Sequence, residues 1–197
     1  MAHGGTMAAI DTKHLTFADY LLLPTIAQRY DIIDGEMIMS AAPTPRHQLI
    51  IANIFVALDA HLRADQRGMV IFAPCDIVIR REPLRTRQPD LFVFLRGRED
   101  MGNLQDFLDQ PAIEVAPDVT VEIISKNETR RSRAEKIEDY RRIGVKECWL
   151  VSPQAQTVEV LRLSSEDMRT VGIYGVGMRI HSEILEGLEI SVDEMFV

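Results

Sequence analysis

Apolar residues recur along this chain with two periods, and the changes of period mark out its elements. From Arg29 to Ala41, short apolar runs (Tyr30, Ile32, Ile33, then Met37, Ile38, Met39) flank an Asp34-Gly35 step, the pattern of a β-hairpin with a tight turn. Pro43 and Pro45 break the chain. From Arg46 to Gln66, residues Leu49, Ile50, Ile54, Val56, Ala57, Leu58 and Leu62 recur every three or four positions, which predicts a long helix ended by Gly68. Met69 to Arg80 reads as a strand in which Pro74 marks an edge or an irregularity. A polar turn at Glu82-Pro83 leads to a strand over Pro89 to Leu95, and the loop from Arg96 to Pro117 has room for a short helix at Leu104–Leu108. Val119 to Ser125 is the central apolar strand, and Thr129 to Ile143 is a helix stopped at Gly144. Glu147 to Val151 and Thr157 to Leu163 form a strand pair, with short strands over Thr170–Tyr174 and Met178–His181 behind them.

The run from Val119 to Val151 is strand, helix, strand, and so implies a right-handed parallel crossover. The earlier strands are close enough in sequence to meander antiparallel. The predicted class is α/β in the broad sense (α+β): a mixed central sheet flanked by helices, with an N-terminal hairpin and extra C-terminal strands. Residues 1–13 read as a flexible N-terminal segment and 14–197 as a single domain.

Composition changes this picture little. The chain has 197 residues, 46% of them hydrophobic and 26% charged, an ordinary globular balance. No apolar stretch is long enough to span a bilayer, and the N-terminus lacks the basic-then-apolar order of a secretory signal, so a cytoplasmic protein without a membrane partner is expected. Cys75 and Cys148 sit in apolar surroundings and read as small core residues of a reducing compartment. A net charge of −8 argues against a nucleic-acid coat protein, yet the arginines cluster at 80–98 and 130–142, which leaves local basic surface open to phosphate contact. Pairing of the same arginines with surface acids is the alternative.

Two segments carry candidate chemistry. Gln88-Pro89-Asp90-Leu91-Phe92-Val93-Phe94 and Val121-Glu122-Ile123-Ile124-Ser125 each place one carboxylate in or beside a strand that reads as buried. An ionised carboxylate there needs a proton, a counter-ion or a metal, because burying it alone costs several kcal/mol. Two such strands delivering their acids to one spot would suit Mg²⁺ (or Mn²⁺), which takes one or two carboxylates together with waters and substrate phosphate oxygens. Asp90 and Glu122 would supply two ligands and the main-chain carbonyl of Ile123 a third. A nearby lysine would position or deprotonate water and stabilise charge on a phosphorane-like transition state.

This arrangement resembles the PD-(D/E)XK nuclease superfamily and, more closely, the Uma-two family of restriction-endonuclease-like proteins. The resemblance is carried by Tyr30-Asp31-Ile32-Ile33-Asp34-Gly35-Glu36, Pro45-Arg46-His47, Gln88-Pro89-Asp90, Val121 to Ser125, Lys136 with Tyr140, and Gly144 to Val151. It implies a restriction-endonuclease-like fold, a DNA substrate and catalytic Asp90 and Glu122. The superfamily places its lysine two residues after the second acid, where this chain has Ile124. In the resembled family the lysine has moved to the following helix, which points to Lys136, with Lys126 as the alternative. Glu36 and His47 match further positions: Glu36 as an accessory ligand or an ordinary polar turn residue, His47 as a phosphate or Glu36 contact or a helix-end residue. Ser125 lacks an activating base, and Tyr140 and Trp149 read as core residues rather than base-stacking platforms. The reading is a Mg²⁺-dependent endonuclease, possible as a homodimer. Its alternatives are a non-catalytic protein retaining the fold and a hydrolase of another phosphate ester.

Overall fold

The computed structural model describes residues 14–196; the segment expected to be flexible, residues 1–13, lies outside them. Two sheets dominate. In the first, β1 (Tyr30–Ile33) and β2 (Glu36–Met39) make the expected hairpin, with Ile33 opposite Glu36 and both Asp34 and Gly35 at positive φ, as a two-residue turn requires. Two strands complete it: β4 (Ile77–Arg80) and β5 (Arg85–Arg87), in the order β2-β1-β5-β4. The second sheet runs β10-β9-β8-β7-β6-β3. Its members are β3 (Gly68–Phe72), β6 (Leu91–Leu95), β7 (Val119–Ile123), β8 (Glu147–Ser152), β9 (Thr157–Leu163) and β10 (Met168–Gly175). Only β7 and β8 pair in parallel. Their crossover is α4 (Arg130–Ile143), capped by Thr129 and ended by Gly144 at φ 98°, a left-handed position that glycine adopts without steric cost. The short α1 (Phe17–Leu21) precedes the hairpin, and α3 (Leu104–Leu108) lies where it is expected. A small ladder of β11 (Arg179–Ile180) and β12 (Ile190–Ser191) closes the C-terminal segment.

Three expectations are corrected. Met69 to Arg80 is not one strand: the chain leaves the six-stranded sheet after Phe72, passes Ala73-Pro74, and enters the other sheet at Ile77. Gly68 does not end the long helix but opens β3, where it abuts the Phe94 carbonyl so closely that a Cβ would lie 2.3 Å from it. Leu49 and Val56 are exposed on α2 (Pro45–Ala64), whose buried stripe is Ile50, Ile54, Leu58 and Leu62. The central sheet is therefore accompanied by a separate antiparallel sheet built on the hairpin.

Strand alternation then decides where the polar residues of β7 point. Val119, Val121 and Ile123 join the α2 stripe in the largest core, whereas Thr120 and Glu122 face the opposite side. On that side α4 contributes Ile137 and Tyr140 to a second core with Cys148 and Leu150 of β8. The other face of α4 is tied to the hairpin sheet by buried charge. Asp139, 1% exposed, receives Arg85 Nε and Arg87 Nη2 at 2.8 and 2.7 Å. Arg87 also reaches Asp31 at 2.8 Å, and Arg85 pairs with Glu135.

Asp139→Ala leaves two buried guanidiniums short of a partner, so it should cost about 3 kcal/mol in urea denaturation. Glu138→Ala, which removes only exposed pairs on the same helix, should cost under about 1 kcal/mol. Equal losses would show that the buried network does not fix α4.

Candidate active site

Asp90 precedes β6 by one residue. The antiparallel register pairs Leu91 with Val121 and Phe92 with Thr120, and continuing it by one step sets Asp90 opposite Glu122. Residues so placed in antiparallel strands lie about 4.5–5.5 Å apart at Cα, and like charges there repel. Both carboxylates are buried, at 2% and 6% exposure.

The surroundings answer each charge separately. Asp90 Oδ2 accepts the Ile123 backbone N–H at 2.7 Å, and Oδ1 receives the Arg29 guanidinium, whose other arm donates to the Gln88 carbonyl. His47 Nε2 lies 3.4 Å from the same Oδ1. Glu122 is gripped from α4 by two side chains one turn apart, Lys136 Nζ at 2.9 Å on Oε2 and the Tyr140 hydroxyl on Oε1. Lys136 also reaches Glu128 at 3.1 Å. Asp31, on the hairpin strand, adds its charge to the field at Lys136 and Tyr140.

These contacts push the two acids apart. Burial works to raise the Asp90 carboxyl, but the His47 contact, the Arg29 charge and the Ile123 N–H together hold it below the ordinary aspartate value. For Glu122, burial dominates and the Asp90 charge adds to it, so its carboxyl stands above the ordinary glutamate value despite Lys136. Burial works against the Lys136 charge, yet Glu122 and Glu128 more than offset it and raise its pKa, so the group is an ammonium. Burial, then the Glu122 charge, likewise keeps Tyr140 a neutral hydroxyl donor.

The structure thus gathers Asp90, Glu122, Lys136 and His47. It does not bring in the other two candidates. Glu36 is exposed at the turn end of the hairpin, several residues along β1 from Arg29, and Lys126 is exposed in the turn after β7 with no ion pair among the described residues. Ser125 is exposed, and its carbonyl accepts the Glu128 N–H. Trp149 is fully buried, its indole N–H on Glu147 at 2.7 Å. Cys148 is buried, and burial pushes its thiol up to about 12. Sequence reasoning missed Arg29 and Asp31. The available signal was a polar pair interrupting the apolar hairpin strand at its Tyr30 end.

Which groups could hold a metal follows from the same contacts. No set of three or more His, Cys, Asp or Glu side chains is gathered for one among the described residues. The donors are two carboxylates, the small protein share typical of a Mg²⁺ site. Each carboxylate oxygen already accepts a protein donor, but a carboxylate offers about four acceptor positions, so lone pairs remain on both acids. The donor chemistry fits a hard divalent cation provided that Arg29 yields its place on Asp90. The buried Arg29 Nε and His47 Nδ1 have no partner among the described residues, leaving unfilled hydrogen-bonding capacity beside the acids.

A family model described as "Uma2: Putative restriction endonuclease" matches residues 17–193. The chain belongs to this family. Among solved structures it is similar to one described as "a putative nuclease belonging to DUF820" from Anabaena variabilis, with a TM-score of 0.75 and 19% identity over 92% of this chain and 97% of that one. No curated protein matches it. The Uma2 assignment supports a nuclease-like protein with a restriction-endonuclease-like mixed fold, and no helix among the described residues is long and apolar enough to cross a membrane.

Removing Lys136 should expose the electrostatic strain on Glu122. Because the folded carboxyl is raised, the unfolded chain loses this proton first, and stability falls as pH rises between the ordinary glutamate value and the raised one. Lys136→Met should carry that decline to higher pH in thermal melts, and the added effect should vanish in the double variant with Glu122→Gln. Superimposable pH profiles for Lys136→Met and the parent would contradict the pairing.

Proposed function

We propose that this protein is a Mg²⁺-dependent endonuclease, tolerant of Mn²⁺, that hydrolyses DNA phosphodiester bonds. The single observation carrying the proposal is the cross-strand placement of Asp90 beside Glu122, with Lys136 on the second acid. Asp90, Glu122 and the Ile123 carbonyl would hold the cation, which when bound supplies Lewis-acid activation of water and of the phosphate.

The chain's own groups have separable tasks. Asp90, held below the ordinary range, stays a carboxylate across neutral pH. Tyr140 fixes Glu122 from the helix side, so the carboxylate is oriented before substrate arrives. Lys136, held as an ammonium, is suited to stabilising negative charge developing on the phosphate rather than to taking a proton from water. His47 Nδ1, free of protein partners among the described residues, is available to orient a water or a phosphate oxygen.

One observation favours a second reading, a non-catalytic protein retaining the fold: each of the four carboxylate oxygens already has a protein donor. Nicking of supercoiled plasmid separates the two. With Mg²⁺ or Mn²⁺ the parent should cleave, Asp90→Asn and Glu122→Gln should lose activity below detection, and Lys136→Met should slow it by about 10²–10³-fold. Folded parent protein that leaves every DNA intact, or undiminished cleavage by both acid variants, would reject the catalytic reading.

A further inference from the structure

The structure sorts the arginine clusters into cations that are neutralised and cations that are not. The group at 80–98 is largely spent: Arg80 pairs with Asp34, Arg81 with Glu114, Arg85 and Arg87 with Asp139, and Arg98 with Asp100 and Asp118. Further along, Arg133 is taken by Glu128, and Arg141 and Arg142 by Glu138. Lys146 is paired with Asp118, Arg29 and Lys136 hold the two acids of the site, and the remaining partnered arginines sit on Asp59, Asp65, Glu183 and Glu189. Among the described residues, Arg46, Arg96, Lys126, Arg130 and Arg131 alone have no carboxylate within ion-pair distance, and all five are exposed.

Their placement is not scattered. Arg46 adjoins His47 at the start of α2, Lys126 lies four residues beyond Glu122, and Arg130 and Arg131 form the first turn of α4. At 1.5 Å per residue, that turn is about 7–9 Å along the helix from Lys136. Neither α2 nor α4 carries an acid in its first turn. Only Arg96 stands elsewhere, at the opposite end of β6 from Asp90 and hydrogen-bonded to Gln66. A protein of net charge −8 thus leaves four of the five unneutralised cations among its described residues on the three segments that bear the candidate site.

We propose that Arg46, Lys126, Arg130 and Arg131 form a collar that binds the phosphates of duplex DNA on either side of the bond presented to Asp90 and Glu122. The inference rests on the nuclease reading for its partner, and on the ion-pair census for its residues. Phosphate contacts of this kind fix register without reading bases, and they release counter-ions, so they have a thermodynamic signature of their own.

The test is a salt series of duplex binding by the full chain, followed by fluorescence anisotropy in EDTA so that no cleavage intervenes. Removing four phosphate contacts in R46A/K126A/R130A/R131A should make the slope of log K against log salt shallower by about 3–4 and weaken low-salt binding at least about tenfold. The control R63A/R142A/R169A/R179A, with the same change in net charge, should keep the parent slope, and so should the charge-preserving R46K/R130K/R131K. A parent slope in the collar variant, or an equal loss in the control, would overturn the collar. Cleavage by the parent together with an unchanged slope in the collar variant would sink the collar and leave the nuclease reading standing. Collar-dependent binding without any cleavage would do the reverse.

Discussion

Two carboxylates set in facing register on adjacent buried strands are the constraint around which this structure is arranged. Left alone, Asp90 and Glu122 would repel each other in a region where water cannot screen them. The fold meets this by giving each its own cation, Arg29 from the entrance of the hairpin and Lys136 from α4. A purely structural core would be served as well by apolar residues of similar volume at both positions. Retaining two acids and two bases instead keeps charge where a phosphate and a cation would have to be handled.

The supporting elements follow from that need. Lys136 reaches Glu122 only if α4 is held at a fixed height over β7, and two layers hold it. Ile137 and Tyr140 pack on the inner face with Cys148 and Leu150, and Asp139 is clamped by Arg85 and Arg87 on the outer face. The hairpin sheet thereby does more than extend the fold. It delivers Arg29 to Asp90, Asp31 to the field at Lys136, and the arginine pair to α4.

Much of this was legible in the sequence, for identifiable reasons. The Asp34-Gly35 turn, the long α2 period and the Thr129-to-Gly144 helix are local signals, and each element forms close to where it is read. Asp90 and Glu122 stood out because a charge inside an apolar run is costly wherever the strand goes. Lys136 was pointed to by the family resemblance, and helical spacing sets it about one turn from Tyr140. What could not be read is non-local. The register that sets Asp90 opposite Glu122 depends on strand pairing, and the split of residues 69–80 between two sheets depends on where Ile77 finds Arg87. Arg29 was invisible because an arginine before a strand has no preferred partner in sequence. Glu36 stayed open between accessory ligand and turn residue because its resemblance position says nothing of which end of a hairpin meets the site.

We propose that Asp90 and Glu122 would serve one divalent cation, for which Arg29 would have to leave the first acid. A crystal structure soaked in Mn²⁺, with anomalous scattering used to place the metal, tests it most directly. A single peak beside Asp90 and Glu122 is expected, with the Arg29 guanidinium withdrawn from Asp90 and Lys136 still on Glu122. Saturating Mn²⁺ that leaves Arg29 on Asp90 and no peak between the two acids would contradict it.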